Sequence, residues 1–210
     1  RVTVPATIYS VQQQGAFYQV TVANLANSAA DDSHALDHAI ALWRQRSDLA
    51  LDTAVSHSLT GSRYQLCGRH FGYVGSDERL VYETLYYNPN TRLFYDIVSS
   101  VTPAAQSRHG ADVQHFQTSL AIHADPKSQL LPPPDYPAHW KVYKEPGTGF
   151  DIRFPADPTV EQGSYTTDRG VTVLMSPSNP YYQQYLRKKA SGKKACVKGR
   201  VERRPGPDGG

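Results

Sequence analysis

The sequence predicts an α+β protein, a mainly antiparallel β-sheet packed against two helices, and three observations carry that expectation. Apolar residues alternate with period two over long stretches before residue 25 and between residues 49 and 101. Two segments, about 31–46 and 108–122, switch to the helical period. The breaks between the strand-like runs are short and rich in Gly, Asn, Asp and Pro, as antiparallel neighbours require.

Residues 2–11 and 16–25 read as a hairpin, with Gln12-Gln13-Gln14-Gly15 as its polar connection and Tyr18, Val20 and Val22 on one face. Asp31-Asp32-Ser33 then supplies a cap and first-turn carboxylates for a helix running to Arg46. Leu36, Ala39, Ile40 and Trp43 give that helix one apolar stripe. From Leu49 a β-meander is expected, with strands over 49–59, 63–74, 79–87 and 92–101. These are punctuated by Gly61, Gly75-Ser76-Asp77 and Asn88-Pro89-Asn90. Aromatic residues such as Tyr82, Tyr86, Phe94 and Tyr95 suit cross-strand packing. After Pro103 a second helix is expected from Arg108 to Ile122, burying Val113, Phe116 and Leu120, with Asp112 in its first turn.

The run Leu131-Pro132-Pro133-Pro134-Asp135-Tyr136-Pro137 cannot donate to a ladder at its prolines and reads as a linker or strap. Fresh β structure follows from His139 to Met175, with Phe150, Ile152 and Phe154 in alternation. The expected organisation is a main α+β domain over 1–123, a Pro-rich linker over 124–139, a β element over 140–175 and a basic tail over 176–210.

With 210 residues the chain is long enough to build a hydrophobic core without disulfides. Cys67 and Cys196 are its two cysteines, and they form neither a disulfide framework nor a zinc spacing. No apolar run is long enough to cross a membrane as a helix. The net charge of +3 hides an asymmetry: residues 1–175 carry 13 basic and 17 acidic groups, whereas residues 176–210 carry 9 and 2. The basic character belongs to the tail, which is too poor in apolar residues to fold alone.

Trp140-Lys141-Val142-Tyr143 followed by Gly149-Phe150-Asp151-Ile152-Arg153-Phe154-Pro155 resembles the opening strand of PsbP-like domains. The run Phe17–Ile122, closing on Phe116-Gln117-Thr118-Ser119-Leu120, resembles the remainder of the same unit. The resemblance implies a PsbP-like fold and a periplasmic or secreted location, and it fixes no functional residue. It departs from the family in order, because the opening element comes last. Arg169-Gly170-Val171-Thr172-Val173 ends that late element on the same tripeptide as Val2-Thr3-Val4. The expectation is a tandem array entered in mid-repeat at Arg1, whose late segment completes the early sheet in permuted order.

Candidate chemistry is sparse. His34 and His38 stand one helical turn apart, the spacing that lets two imidazoles reach one metal ion. Yet they lie opposite the Leu36–Trp43 stripe and bring no third ligand. Cys67 could act as a nucleophile only beside His57, His70 or His115, and on a strand Cys67 and His70 point to opposite faces. The sequence contains no G-x-S-x-G, C-x-x-C or G-x-G-x-x-G. No catalytic, cofactor-binding or metal-binding residue is therefore assigned, and no cofactor is expected. The favoured expectation is a non-catalytic accessory or binding module with a protein or small-molecule partner. A thiol- or histidine-dependent hydrolase is the first alternative. The second is binding of nucleic acid or anionic lipid through the tail between Arg187 and Arg204.

Overall fold

The structure is a computed structural model and describes residues 2–25, 49–75, 78–125, 139–145, 147–167 and 202–203. Six long strands open it: β1 (Val2–Gln13), β2 (Ala16–Asn24), β3 (Leu49–Ser58), β4 (Tyr64–Val74), β5 (Leu80–Asn88) and β6 (Leu93–Val101). A 3-10 turn over Pro103–Ala105 leads into helix α1 (Gln106–Thr118). Short strands β7 (Ala121–Ile122), β8 (Lys141–Glu145) and β9 (Phe150–Phe154) follow, then β10 (Thr159–Thr167) and β11 (Glu202–Arg203). The fold is thus a mostly antiparallel sheet with one helix among the described residues. The first expected helix, and with it His34 and His38, lies outside them, as does the tail apart from Glu202–Arg203.

The long sheet runs β10-β1-β2-β6-β5-β4, with β3 on the outer side of β4 and β11 beside the start of β4. All these pairs are antiparallel. The hairpin β1–β2 turns on Gln14 and Gly15, both at positive φ (47° and 85°), the two-residue geometry whose twist matches the strands. Gly15 is needed twice over, because a Cβ there would stand 2.7 Å from Thr102 Oγ1. Its carbonyl accepts the Thr102 N–H, which fixes the chain entering α1.

Register places Val20, Ile97 and Thr84 on one face, together with Tyr18, Ser99 and Tyr82. Helix α1 packs there through Val113 and Phe116. The Gln117 amide nitrogen donates to the Ile97 carbonyl (3.2 Å) and to Ser99 Oγ (3.0 Å), so the sheet satisfies the buried NH2 group of this helix side chain. The small sheet β7-β9-β8 covers the rest of this face. Phe150 meets Tyr9 edge-on at 5.3 Å, and Trp140 meets Tyr18 at 4.9 Å. The opposite face is also apolar and buried at Phe71, Leu85, Tyr87 and Phe94.

Helix α1 corrects the sequence at both ends. It begins at Gln106, so Asp112 is not in its first turn and pairs instead with His109 Nδ1 at 3.3 Å. It stops at Thr118 rather than Ile122, because Ser119 folds its hydroxyl back onto the Phe116 carbonyl (2.9 Å). Buried Ala121 and Ile122 then pair with β9 as a strand. Strand β10 returns to the start of the chain and pairs with β1 from Val2↔Thr167 to Ser10↔Thr159.

Candidate functional site

The strongest concentration of chemistry lies where three elements meet over the inner face of the long sheet. Strand β3 brings His57, the segment leaving β7 brings His123, and β9 brings Asp151. The backbone holds them together. His123 N–H donates to the Gly149 carbonyl (2.8 Å), Thr60 N–H to Ile122 (2.9 Å) and Ala124 N–H to Thr60 (3.0 Å). His57 completes the junction, its Nε2 accepting the Ile122 N–H at 3.3 Å while its ring lies against Tyr86 at 5.3 Å.

His123 and Asp151 are both at 0% side-chain exposure, with Nε2 and Oδ2 3.6 Å apart. That separation is too long for a hydrogen bond, and neither His123 ring nitrogen nor either Asp151 oxygen has a hydrogen-bond partner within the protein. Burial dominates their electrostatics. It lowers the His123 pKa and raises that of Asp151, against the pull of each on the other toward the charged form; Lys144, opposite Asp151 in the ladder, disfavours the imidazolium and favours the carboxylate. Both shifts favour a neutral imidazole beside a neutral carboxyl group. His57 is pushed down to about 4, first by burial and then by the neighbouring His123. Neutral imidazole is also the form whose Nε2 accepts the Ile122 N–H.

A second set of polar groups ties the β8–β9 turn to the sheet. Tyr95 Oη donates to the Thr148 carbonyl (2.8 Å) and Tyr143 Oη to Glu145 Oε2 (3.3 Å). Tyr9 is shifted upward by burial and then by the Glu145 carboxylate. These phenols remain protonated and act as donors.

The arrangement can store a proton, but it offers a substrate no approach to His123 or Asp151. The sequence-derived candidates are not brought together either. Cys67 is 2% exposed. The ladder pairs it with Ser56 and pairs His57 with Leu66, so Cys67 faces away from both His57 and His70. His70 instead pairs its Nδ1 with Thr84 Oγ1 at 2.7 Å, and His115 sits on α1. Among the described residues no group of three or more His, Cys, Asp or Glu side chains could hold a metal ion.

Sequence reasoning passed over His123 and Asp151 for an identifiable reason. Asp151 stands in the alternation Phe150-Asp151-Ile152-Arg153-Phe154, where the polar positions of a strand ordinarily face water. Here all five residues are buried. Arg153 finds the Trp140 carbonyl through Nη1 (3.1 Å), whereas Asp151 meets His123, which lies just beyond the end expected for the second helix. The usable signal was a carboxylate inside an aromatic strand.

No known family and no curated protein matches the chain. Among solved structures it is similar to a protein of unknown function from Pseudomonas aeruginosa, with 12% identity, 61% of this chain and 83% of that one covered, and a TM-score of 0.34.

Proposed function

We propose that this protein is a non-catalytic accessory or binding module, PsbP-like in architecture, that engages a protein or small ligand through the surface and edges of its long sheet. The observation that carries this reading is the closure of its reactive groups: His123 and Asp151 are fully buried and Cys67 is 2% exposed. Among the described residues the exposed large apolar side chains are Leu51, Val74 and Val160, all on the long sheet. No described helix is long and apolar enough to cross a membrane. The PsbP-like reading also includes a second helix, carrying the Leu36–Trp43 stripe.

The test compares wild-type protein with His57→Gln in hydrolysis of p-nitrophenyl acetate and of a peptide substrate. The module reading predicts no turnover above buffer in either protein. Turnover in the wild type that is lost in the variant overturns it in favour of the hydrolase.

A further inference from the structure

We propose that the β1–β10 seam is a junction between copies of one repeated unit, so that β10 of one chain can take β1 of a second copy of this chain as its partner. The register carries the argument. The seam closes at Val2↔Thr167, so a strand returning beside β10 must enter at the place Val2 occupies. In the sequence, Thr167 is followed by Asp168-Arg169-Gly170 and then by Val171-Thr172-Val173. Three residues ending in glycine are a favoured hairpin connection, the glycine supplying positive φ at its end. The residues such a turn would deliver to the seat of Val2-Thr3-Val4 are those same three residues in the same order. Strand β10 is therefore followed in its own chain by the sequence of the strand it is paired with. A three-residue match alone says little. Its coincidence with the register and with a hairpin-length spacer makes β1 and its sequence copy equivalent partners for β10.

The way β10 is held points in the same direction. Residues 159–163 are exposed at every position, on both faces of the strand. Across the seam Thr7 Oγ1 donates to Gln162 Oε1 at 3.3 Å and the Ile8 side chain lies over Gly163. The backbone ladder holds the rest, and any copy of β1 offers the same N–H and C=O groups. Strand β10 reaches the seam through Pro155-Ala156-Asp157-Pro158, a short segment whose two prolines favour an extended path, and short hinges of this kind favour exchange between copies. The inference is independent of whether the protein is catalytic.

Cross-linking tests it on the full chain. Thr7 and Gln162 are Cα partners across the seam. Thr7→Cys and Gln162→Cys are made as separate variants, mixed, unfolded, refolded together and oxidised. The peptide joining positions 7 and 162 is sought by mass spectrometry, and since each chain carries one of the two cysteines, any such link is between chains. The expected result is a covalent species of twice the chain mass carrying the 7–162 link, increasing with protein concentration during refolding. The double variant in a single chain checks the geometry. If it links within itself while the mixed variants give no 7–162 peptide at any concentration, exchange is overturned. If the double variant does not link either, the register is wrong and the proposal falls with it.

Discussion

Strands β9 and β10 are separated by four residues and are held in opposite ways. All five residues of β9 are buried, with Phe150, Ile152 and Phe154 in the core and even Asp151 and Arg153 shielded from water. Residues 159–163 of β10 are all exposed. Side chains clamp the first strand, and hydrogen bonds to β1 hold the second. Packing specifies one partner, whereas a backbone ladder accepts any strand of suitable register, so the contrast separates the fixed part of the molecule from its exchangeable part.

The largest effect is expected in the clamp. Phe150 has no exposure and touches Tyr9, Tyr95 and Tyr143. Phe150→Ala removes those ring contacts and leaves a cavity, and should cost about 3–5 kcal/mol in chemical denaturation. A loss no larger than that of a surface substitution would remove the distinction between the two strands.

The histidine junction beside β9 gives the next effect, and it depends on pH. His57 is depressed from 6.5 to about 4, so its contribution is fully present above its unfolded value and is lost as pH falls from 6.5 toward 4. His123 is shifted in the same direction and Asp151 in the opposite one, so those two act in opposite senses as pH falls. Stability should therefore decline by up to about 3 kcal/mol across that window. His57→Gln keeps an acceptor for the Ile122 N–H and should flatten the decline, measured as denaturation midpoints at several pH values. An equal decline in the variant would assign the pH dependence to other groups.

Much of the long sheet is legible in the sequence, because each strand shows its own alternation and each turn its own breaker. The β3–β6 meander shows this best. The Asn88-Pro89-Asn90 break sits where β5 gives way to β6, with Asn90 N–H donating to Asn88 Oδ1 at 3.1 Å. The end of α1 is not legible, because Leu120 continues the helical spacing of Val113 and Phe116 while the hydroxyl of Ser119 and the pairing of Ile122 with Phe150 decide otherwise. Local periodicity cannot show which distant strand will claim a residue. The same limit hid the His123–Asp151 pair, whose members approach only when the small sheet docks.

A smaller effect is expected at Gly68, beneath the clamped side of the sheet. It pairs with Tyr86, and a Cβ there would collide with the Leu85 carbonyl and the Tyr86 ring that supports His57. Gly68→Ala should cost about 1–3 kcal/mol by overpacking. The smallest belongs to β10, where Val160 is 49% exposed. Val160→Thr keeps the branched strand side chain and should change stability by no more than about 0.5 kcal/mol. A large loss there would mean that β10 is held by its side chains after all.

Amide hydrogen exchange resolved to the two strands tests the contrast most directly, since it reads local opening in the unmodified protein. The account predicts that peptides from β9 exchange only on global unfolding, while those covering residues 159–167 exchange through a lower-energy opening that leaves β9 protected. Equal and lasting protection of β10 and β9 would contradict it.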